Sequence, residues 1–268
     1  MEYKMDSEWA LHPIGGDTGQ AYMGVKEHER VFLKRNSTPL LAALSGEGIT
    51  PRLIWSKRTP HGDVITAQEW LEGRVLTAEE MMEPEVAALL RQVHQSTNLL
   101  QMMQRIQGKE YNPEQFIEDY LTHLQFDLQS NQFLSTIVRY LQQTSELIME
   151  TGKTVCHGDL NRRNFMLSDD GELYLVDWES VRLADPISDL TMLLVQYVPV
   201  SRWTEWLDMY GAHVSTTMYQ RMEWYSLMNC LFLIKKAHFD GRFYDMNKTI
   251  LLAKTIYNHR LQRRDDKE

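Results

Sequence analysis

The chain has 268 residues, of which 43% are apolar and 24% charged, and its 28 basic against 37 acidic side chains leave a formal charge of −9. That composition suits one large domain or two modest lobes with ample core. It argues against long disordered segments, and the acidic balance argues against nucleic acid as the main partner. Only two cysteines occur, Cys156 and Cys230, far apart and outside any CxxC pair, which points to a reducing compartment. The first ten residues, MEYKMDSEWA, carry charges where a secretory signal needs an apolar stretch. The longest strongly apolar run, Leu227 to Ile234, is far short of the ~20 residues of a membrane span. A cytoplasmic protein without a membrane span is expected, as a monomer or homodimer.

Taken in chain order, the first seventy or so residues read as strands and turns. Gly15-Gly16-Asp17-Thr18-Gly19 is a turn-rich loop, and Val31-Phe32-Leu33 is a short strand ending at Lys34. Pro39 to Leu44 is a short helix that stops by Gly46. Leu53-Ile54-Trp55 and Val64 to Ala67 flank the turn residues Thr59-Pro60-His61-Gly62-Asp63, the pattern of a hairpin. After Gly73 the period becomes helical. Val86, Leu89, Leu90 and Val93 recur at helical spacing behind Pro84, and two further stripes follow at Phe116 to Leu124 and Phe133 to Leu141. The period then returns briefly to two: Phe165 to Leu167, the turn Ser168-Asp169-Asp170-Gly171, and Leu173 to Val176 form a second hairpin. From Ile187 to about Leu261 the chain is mostly helical. The expected fold is α+β, with a small β-rich lobe over 1–72, a connector near Gln68 to Gly73, and a larger helical lobe over 73–268.

Between the helical stripes and the second hairpin lies His157-Gly158-Asp159-Leu160-Asn161-Arg162-Arg163-Asn164, and Asp177 follows the hairpin. An aspartate, an asparagine five residues on and a second aspartate after a strand are the groups phosphoryl transfer needs. Asp159 is the candidate base that orients an acceptor hydroxyl, while Asn164 and Asp177 offer hard oxygen ligands for magnesium on a nucleotide. His157 braces the loop. An isolated Asp-x4-Asn is as well explained by two turn or capping residues; the second aspartate after the hairpin is what separates the alternatives. Lys34 suits the α- and β-phosphates of ATP, or is a surface lysine at a strand end. Gly15, Gly16 and Gly19 suit a phosphate-covering loop, or are only a turn.

His157-Gly158-Asp159-Leu160-x3-Asn164 followed by Val176-Asp177-Trp178-Glu179 resembles the aminoglycoside phosphotransferase and choline kinase-like family of small-molecule kinases. Asp185-Pro186-Ile187-Ser188-Asp189-Leu190 and Leu90-Arg91-Gln92-Val93-His94 resemble further parts of that family's pattern, and the resemblance spans roughly residues 10 to 195. It implies a bilobal, protein-kinase-like fold and an ATP- and Mg2+-dependent transfer to a hydroxyl of a small molecule: an amino alcohol, an aminoglycoside or a sugar-like acceptor. It implies Asp159 as catalytic, Asn164 and Asp177 as metal ligands, and Lys34 as the phosphate-binding lysine. Backbone groups of Glu69 and Leu71 then take the adenine, and Asp189 ties down the catalytic-loop backbone, a role compatible with capping its helix. One departure stands out. Kinases of this shape pair the strand lysine with a glutamate on the next helix, and Pro39 to Leu44 has none; Glu47 lies beyond it. The alternatives are a pseudokinase that binds without turnover, or a protein kinase-like or fructosamine kinase-like transferase.

Two groups of side chains bear on the acceptor. Trp203, Trp206, Tyr210, Trp224 and Tyr225 could cage a quaternary ammonium, or simply fill a core. Glu114, Glu118, Asp119 and Asp127 could receive a polyamine, or form a solvated helix face. The histidines show no close metal-ligand spacing, which disfavours zinc, and His94 reads as a packed helix residue. Arg162 and Arg163 are either phosphate contacts or surface and ion-paired residues.

Overall fold

The computed structural model describes residues 9–14, 21–148, 152–212 and 215–265. In chain order the strands are β1 Ala10–Pro13, β2 Ala21–Lys26, β3 Glu29–Arg35, β4 Leu53–Arg58, β5 Val64–Glu69, β6 Gly73–Val75, β7 Thr154–Cys156, β8 Phe165–Ser168, β9 Leu173–Leu175 and β10 Arg182–Ala184. The helices are α1 Leu41–Gly46, α2 Pro84–Gln95, α3 Thr97–Arg105, α4 Pro113–Leu121, α5 Phe126–Gln129, α6 Gln132–Thr144, α7 Pro186–Tyr197, α8 Trp203–Tyr210, α9 Thr216–Phe239 and α10 Phe243–Asp265. The result is the mixed, two-lobed arrangement expected: an antiparallel sheet lobe followed by a helical lobe.

The sheet has the order β1-β2-β3-β5-β4 and is antiparallel throughout. Alternation along β3 buries Val31 and Leu33 against Ala67 of β5, a small core of its own flanked by Trp9, Leu11, Tyr22, Trp55 and Ile65. Lys34 follows Leu33 and pairs with Ala21 on one side and Thr66 on the other. From there its ammonium meets Asp177 and Glu179, which follow β9.

The helices of the second lobe start where their sequences supply caps. Pro84 opens α2; Asn112 and Gln115 form a reciprocal capping box on α4; Asn131 and Ser215 cap α6 and α9. The stripe on α2 buries Val86, Leu89, Leu90 and Val93. α9 buries residues around its whole circumference, as a helix enclosed by its neighbours does, and it packs against α4, α6, α7 and α10. α1 belongs to this lobe energetically: Leu40, Leu44 and Ile49 are fully buried in its core.

Two small sheets hold the chemical motif. β8 and β9 form the hairpin expected from the sequence, and β6 adds to it in the order β6-β8-β9. Gly73 is required there, because a Cβ would lie 2.3 Å from the Leu167 carbonyl oxygen. β7 pairs antiparallel with β10. The loop from His157 to Asn164 is strung between β7 and β8. No helix among the described residues is long and apolar enough to cross a membrane.

Candidate active site

The loop after β7 is held from three sides. Asp189, in the first turn of α7, accepts the backbone N–H of His157 at 2.7 Å and that of Gly158 at 3.0 Å. His94 of α2 stands 3.3 Å from the same carboxylate and 3.0 Å from the Tyr210 hydroxyl through its other ring nitrogen. Burial alone would raise the Asp189 carboxyl, but the hydrogen bond and charge of His94 prevail and hold it below the ordinary value. Asp185, rather than Asp189, caps α7 through the Ile187 N–H, and Arg221 pairs with it. So Asp189 faces the loop while its neighbour one turn earlier starts the helix.

His157 is fully buried. Its Nε2 lies 2.9 Å from the Val176 carbonyl, its Nδ1 lies 3.3 Å from the Asp159 N–H, and its ring meets Trp178 edge-on at 4.7 Å. One ring nitrogen faces an acceptor and the other a donor, the requirement of a neutral Nε2–H imidazole. Burial pushes its pKa down, in keeping with that form. Gly158 adopts φ +83°, and a Cβ there would sit 2.4 Å from the Ser180 oxygen. Its carbonyl takes a 3.3 Å bond from Arg182, whose guanidinium lies over the rings of Tyr111 and Phe116.

Asn164 joins the two halves of the motif. Its side-chain Nδ2 donates to the Asp159 carbonyl at 2.9 Å, and its own carbonyl accepts from Val176 N at 2.8 Å. With the amide nitrogen committed to a carbonyl, the amide oxygen is the atom that can meet a cation. Asp177 follows in the left-handed region at φ 63° and ψ 64°, an unusual conformation for a non-glycine residue and one concentrated at functional sites. Its Oδ1 is 2.7 Å from Lys34 Nζ, and Glu179 Oε1 is 2.8 Å from the same ammonium. The Lys34 side chain is 15% exposed. Burial lowers its pKa, yet the bonds to Asp177 and Glu179 outweigh that and hold the ammonium above its ordinary value.

The structure thus brings Lys34, Asp159, Asn164, Asp177, His157 and Asp189 to one place. Glu69 ends β5, giving its N–H to Arg52 O at 2.9 Å, and Leu71 lies in the connector before β6. Gly15, Gly16 and Gly19 lie outside the described residues. Arg162 reaches back to the Leu76 carbonyl at 2.9 Å, and its N–H bonds the Tyr197 hydroxyl, so it is a brace; Arg163 is exposed. Trp206, Trp224 and Tyr225 are each 1% exposed and form core, which closes them to a ligand. Asp119 accepts from the Tyr111 hydroxyl and Asp127 faces His238. His94, Cys156 and Asp189 form a buried trio, but its polar atoms already have partners, the thiol facing the Ala184 and Asp185 carbonyls.

The sequence alone assigns Glu179 no role, and there His94 reads as a packed helix residue. The signal for His94 was its place in Leu90-Arg91-Gln92-Val93-His94; nothing local marks Glu179 beyond its position two residues after Asp177.

The model of the phosphotransferase enzyme family matches residues 14–225. Among solved structures, the fold is similar to the choline kinase LicA from Streptococcus pneumoniae, at 16% identity and a TM-score of 0.66 over 92% of this chain and 94% of that one. It is also similar to a Plasmodium vivax ethanolamine kinase, at 13% identity and a TM-score of 0.62 over 93% and 82%. A third is spectinomycin phosphotransferase in complex with ADP and spectinomycin, at 14% identity and a TM-score of 0.54 over 93% of both chains.

Proposed function

The chain belongs to the phosphotransferase enzyme family, and on that premise we propose that it transfers the γ-phosphoryl group of ATP to a hydroxyl of a small molecule. The observation that carries the proposal is one bonded framework. Asn164 is tied to the Asp159 backbone, Asn164 to Val176, and Lys34 to Asp177, so the candidate base, ligands and cation share one scaffold. The absent helix glutamate, which favoured a pseudokinase, loses weight because Lys34 is paired by other carboxylates.

Asp159 would orient the acceptor hydroxyl and take its proton as the new P–O bond forms and the bond to the β-phosphate oxygen breaks. Asp189 and His157 keep its backbone fixed, so orientation is supplied before substrate arrives. The donor set of one amide oxygen and a carboxylate fits magnesium, a hard cation that prefers oxygen. Asn164 and Asp177 would hold it, and when bound it would neutralise charge on the phosphate oxygens. Lys34 would face the phosphates. Because the Glu69 N–H is already bonded, the Leu71 N–H is the connector donor we assign to the adenine edge, with the Glu69 carbonyl beside it. We further propose a cytoplasmic location, where ATP is at hand and the buried thiols stay reduced.

The test is transfer from labelled ATP to a panel of amino alcohols, sugars and aminoglycosides. Asp177→Ala should abolish it. Asp159→Asn should lower turnover by about 10²–10⁴ while nucleotide still binds. Full activity in either variant would overturn the assignment.

A further inference from the structure

Lys34 has no carboxylate partner on α1, and the packing around that helix shows why. α1 reads Leu41-Ala42-Ala43-Leu44-Ser45-Gly46, without an acidic residue. The next carboxylate, Glu47, faces α2 and α3. Its Oε1 accepts from Ser96 Oγ at 2.7 Å and Asn98 Nδ2 at 3.0 Å, and its carbonyl from Gln92 Nε2 at 2.7 Å. Leu40, Leu44 and Ile49 are fully buried in the helical-lobe core, and the Ile49 carbonyl accepts from Leu175 N at 2.9 Å. Bringing Glu47 to the lysine would break all of these contacts together.

Two carboxylates from the segment after β9 stand at the ammonium instead, Asp177 at 2.7 Å and Glu179 at 2.8 Å. They are not equivalent. Asp177 adjoins Val176, which is bonded to the Asn164 carbonyl, and so shares its position with the other candidate metal ligand. Glu179 sits in a short 3-10 turn, Trp178–Ser180, anchored by buried Trp178, whose Nε1 bonds the Leu175 carbonyl at 2.8 Å and whose ring packs on His157. The glutamate is thus fixed to the scaffold of the catalytic loop.

We propose that Glu179 is the positioning residue for Lys34, taking the part that a helix glutamate takes in protein kinases. Asp177 is then free to turn to the metal while the ammonium remains held. The inference rests on the phosphotransferase assignment. It also makes the lysine answer to the Asp177 segment of the helical lobe rather than to a mobile helix.

The test uses the full chain with Glu179→Gln, Glu179→Asp, Lys34→Met and the double variant Lys34→Met/Glu179→Gln. Calorimetry gives the affinity for Mg-ATP and the magnesium concentration that half-saturates nucleotide binding. Glu179→Gln should weaken Mg-ATP binding roughly tenfold, raise KM more than it lowers kcat, and leave the magnesium requirement unchanged; Glu179→Asp should recover part of the loss. In the Lys34→Met background the same change should add less than about twofold. A readout independent of nucleotide is the rate at which Lys34 reacts with an amine-specific reagent, read by mass spectrometry, which should rise in Glu179→Gln. Unchanged Lys34 reactivity, or a magnesium requirement that rises with Glu179→Gln, overturns the proposal. If wild type binds nucleotide and Asp177→Ala loses activity while Glu179→Gln behaves as wild type, this inference alone falls. If wild type binds no nucleotide, the phosphotransferase assignment falls with it.

Discussion

Replacing Asp189 with asparagine changes almost no volume, yet it should cost about 3 kcal/mol. Asp189 is 1% exposed, and its carboxylate receives the His157 and Gly158 N–H groups at 2.7 and 3.0 Å with His94 Nε2 beside it at 3.3 Å. An asparagine keeps one acceptor, and its NH2 must then face another donor. Leaving one buried N–H unsatisfied costs about 1–3 kcal/mol, and the remaining bond loses its charge assistance. For a chain of this size each kcal/mol moves Tm by roughly 2–4 °C. Calorimetry should therefore show Asp189→Asn melting roughly 6–12 °C below wild type. Turnover should fall as well, because the unfastened backbone is the one that carries Asp159. A variant within about 2 °C of wild-type Tm and with unchanged turnover would refute the claim that Asp189 fastens the loop.

Gly158→Ala forces a side chain into a left-handed backbone, at about 1–2 kcal/mol, and against the Ser180 oxygen 2.4 Å away; kinetics should show a large loss of turnover, and wild-type kinetics would contradict the tight approach. His157 has its pKa depressed by burial from 6.5, so its contribution to stability is complete above about pH 6.5 and is lost as pH falls through the window down to its folded value. Melting curves from pH 8 to 5 should therefore fall less steeply for His157→Gln than for wild type, and identical slopes would refute a buried neutral imidazole. Glu47→Gln weakens the tie between α1 and α3 and should lower stability by about 1–2 kcal/mol in urea unfolding. It should leave KM for ATP unchanged, and a raised KM would place Glu47 at the lysine after all.

What could be read from the sequence was what is local. Val86, Leu89, Leu90 and Val93 lie one helical turn apart, so their shared face follows from the order of residues alone. The β8–β9 hairpin is legible for the same reason: its turn residues and alternating strands are neighbours. Lys34, Asp159, Asn164 and Asp177 read as one candidate set because their types and order match one chemistry. What escaped depends on contacts between distant segments. β7 finds β10 and β6 finds β8 only in the folded chain. The role of His94 depends on Asp189 and Tyr210, and that of Glu47 on Ser96 and Asn98, none of them in its own element. Glu179 meets Lys34 across the whole span from sheet to loop, and no window of sequence contains both.

The separation of the two cores has a consequence for how the chain opens. Val31, Leu33 and Ala67 form a cluster of their own, while α1 shares the extensive core of the helical lobe. Sparse apolar burial favours local opening, so among the described residues the sheet is the unit expected to open first, without α1. Amide hydrogens of β2, β3 and β5 should exchange through sub-global opening while those of α1, α2 and α9 wait for global unfolding. A ligand gripped by Lys34 would close that gap by mass action, because it would fasten the weaker unit to the stronger one.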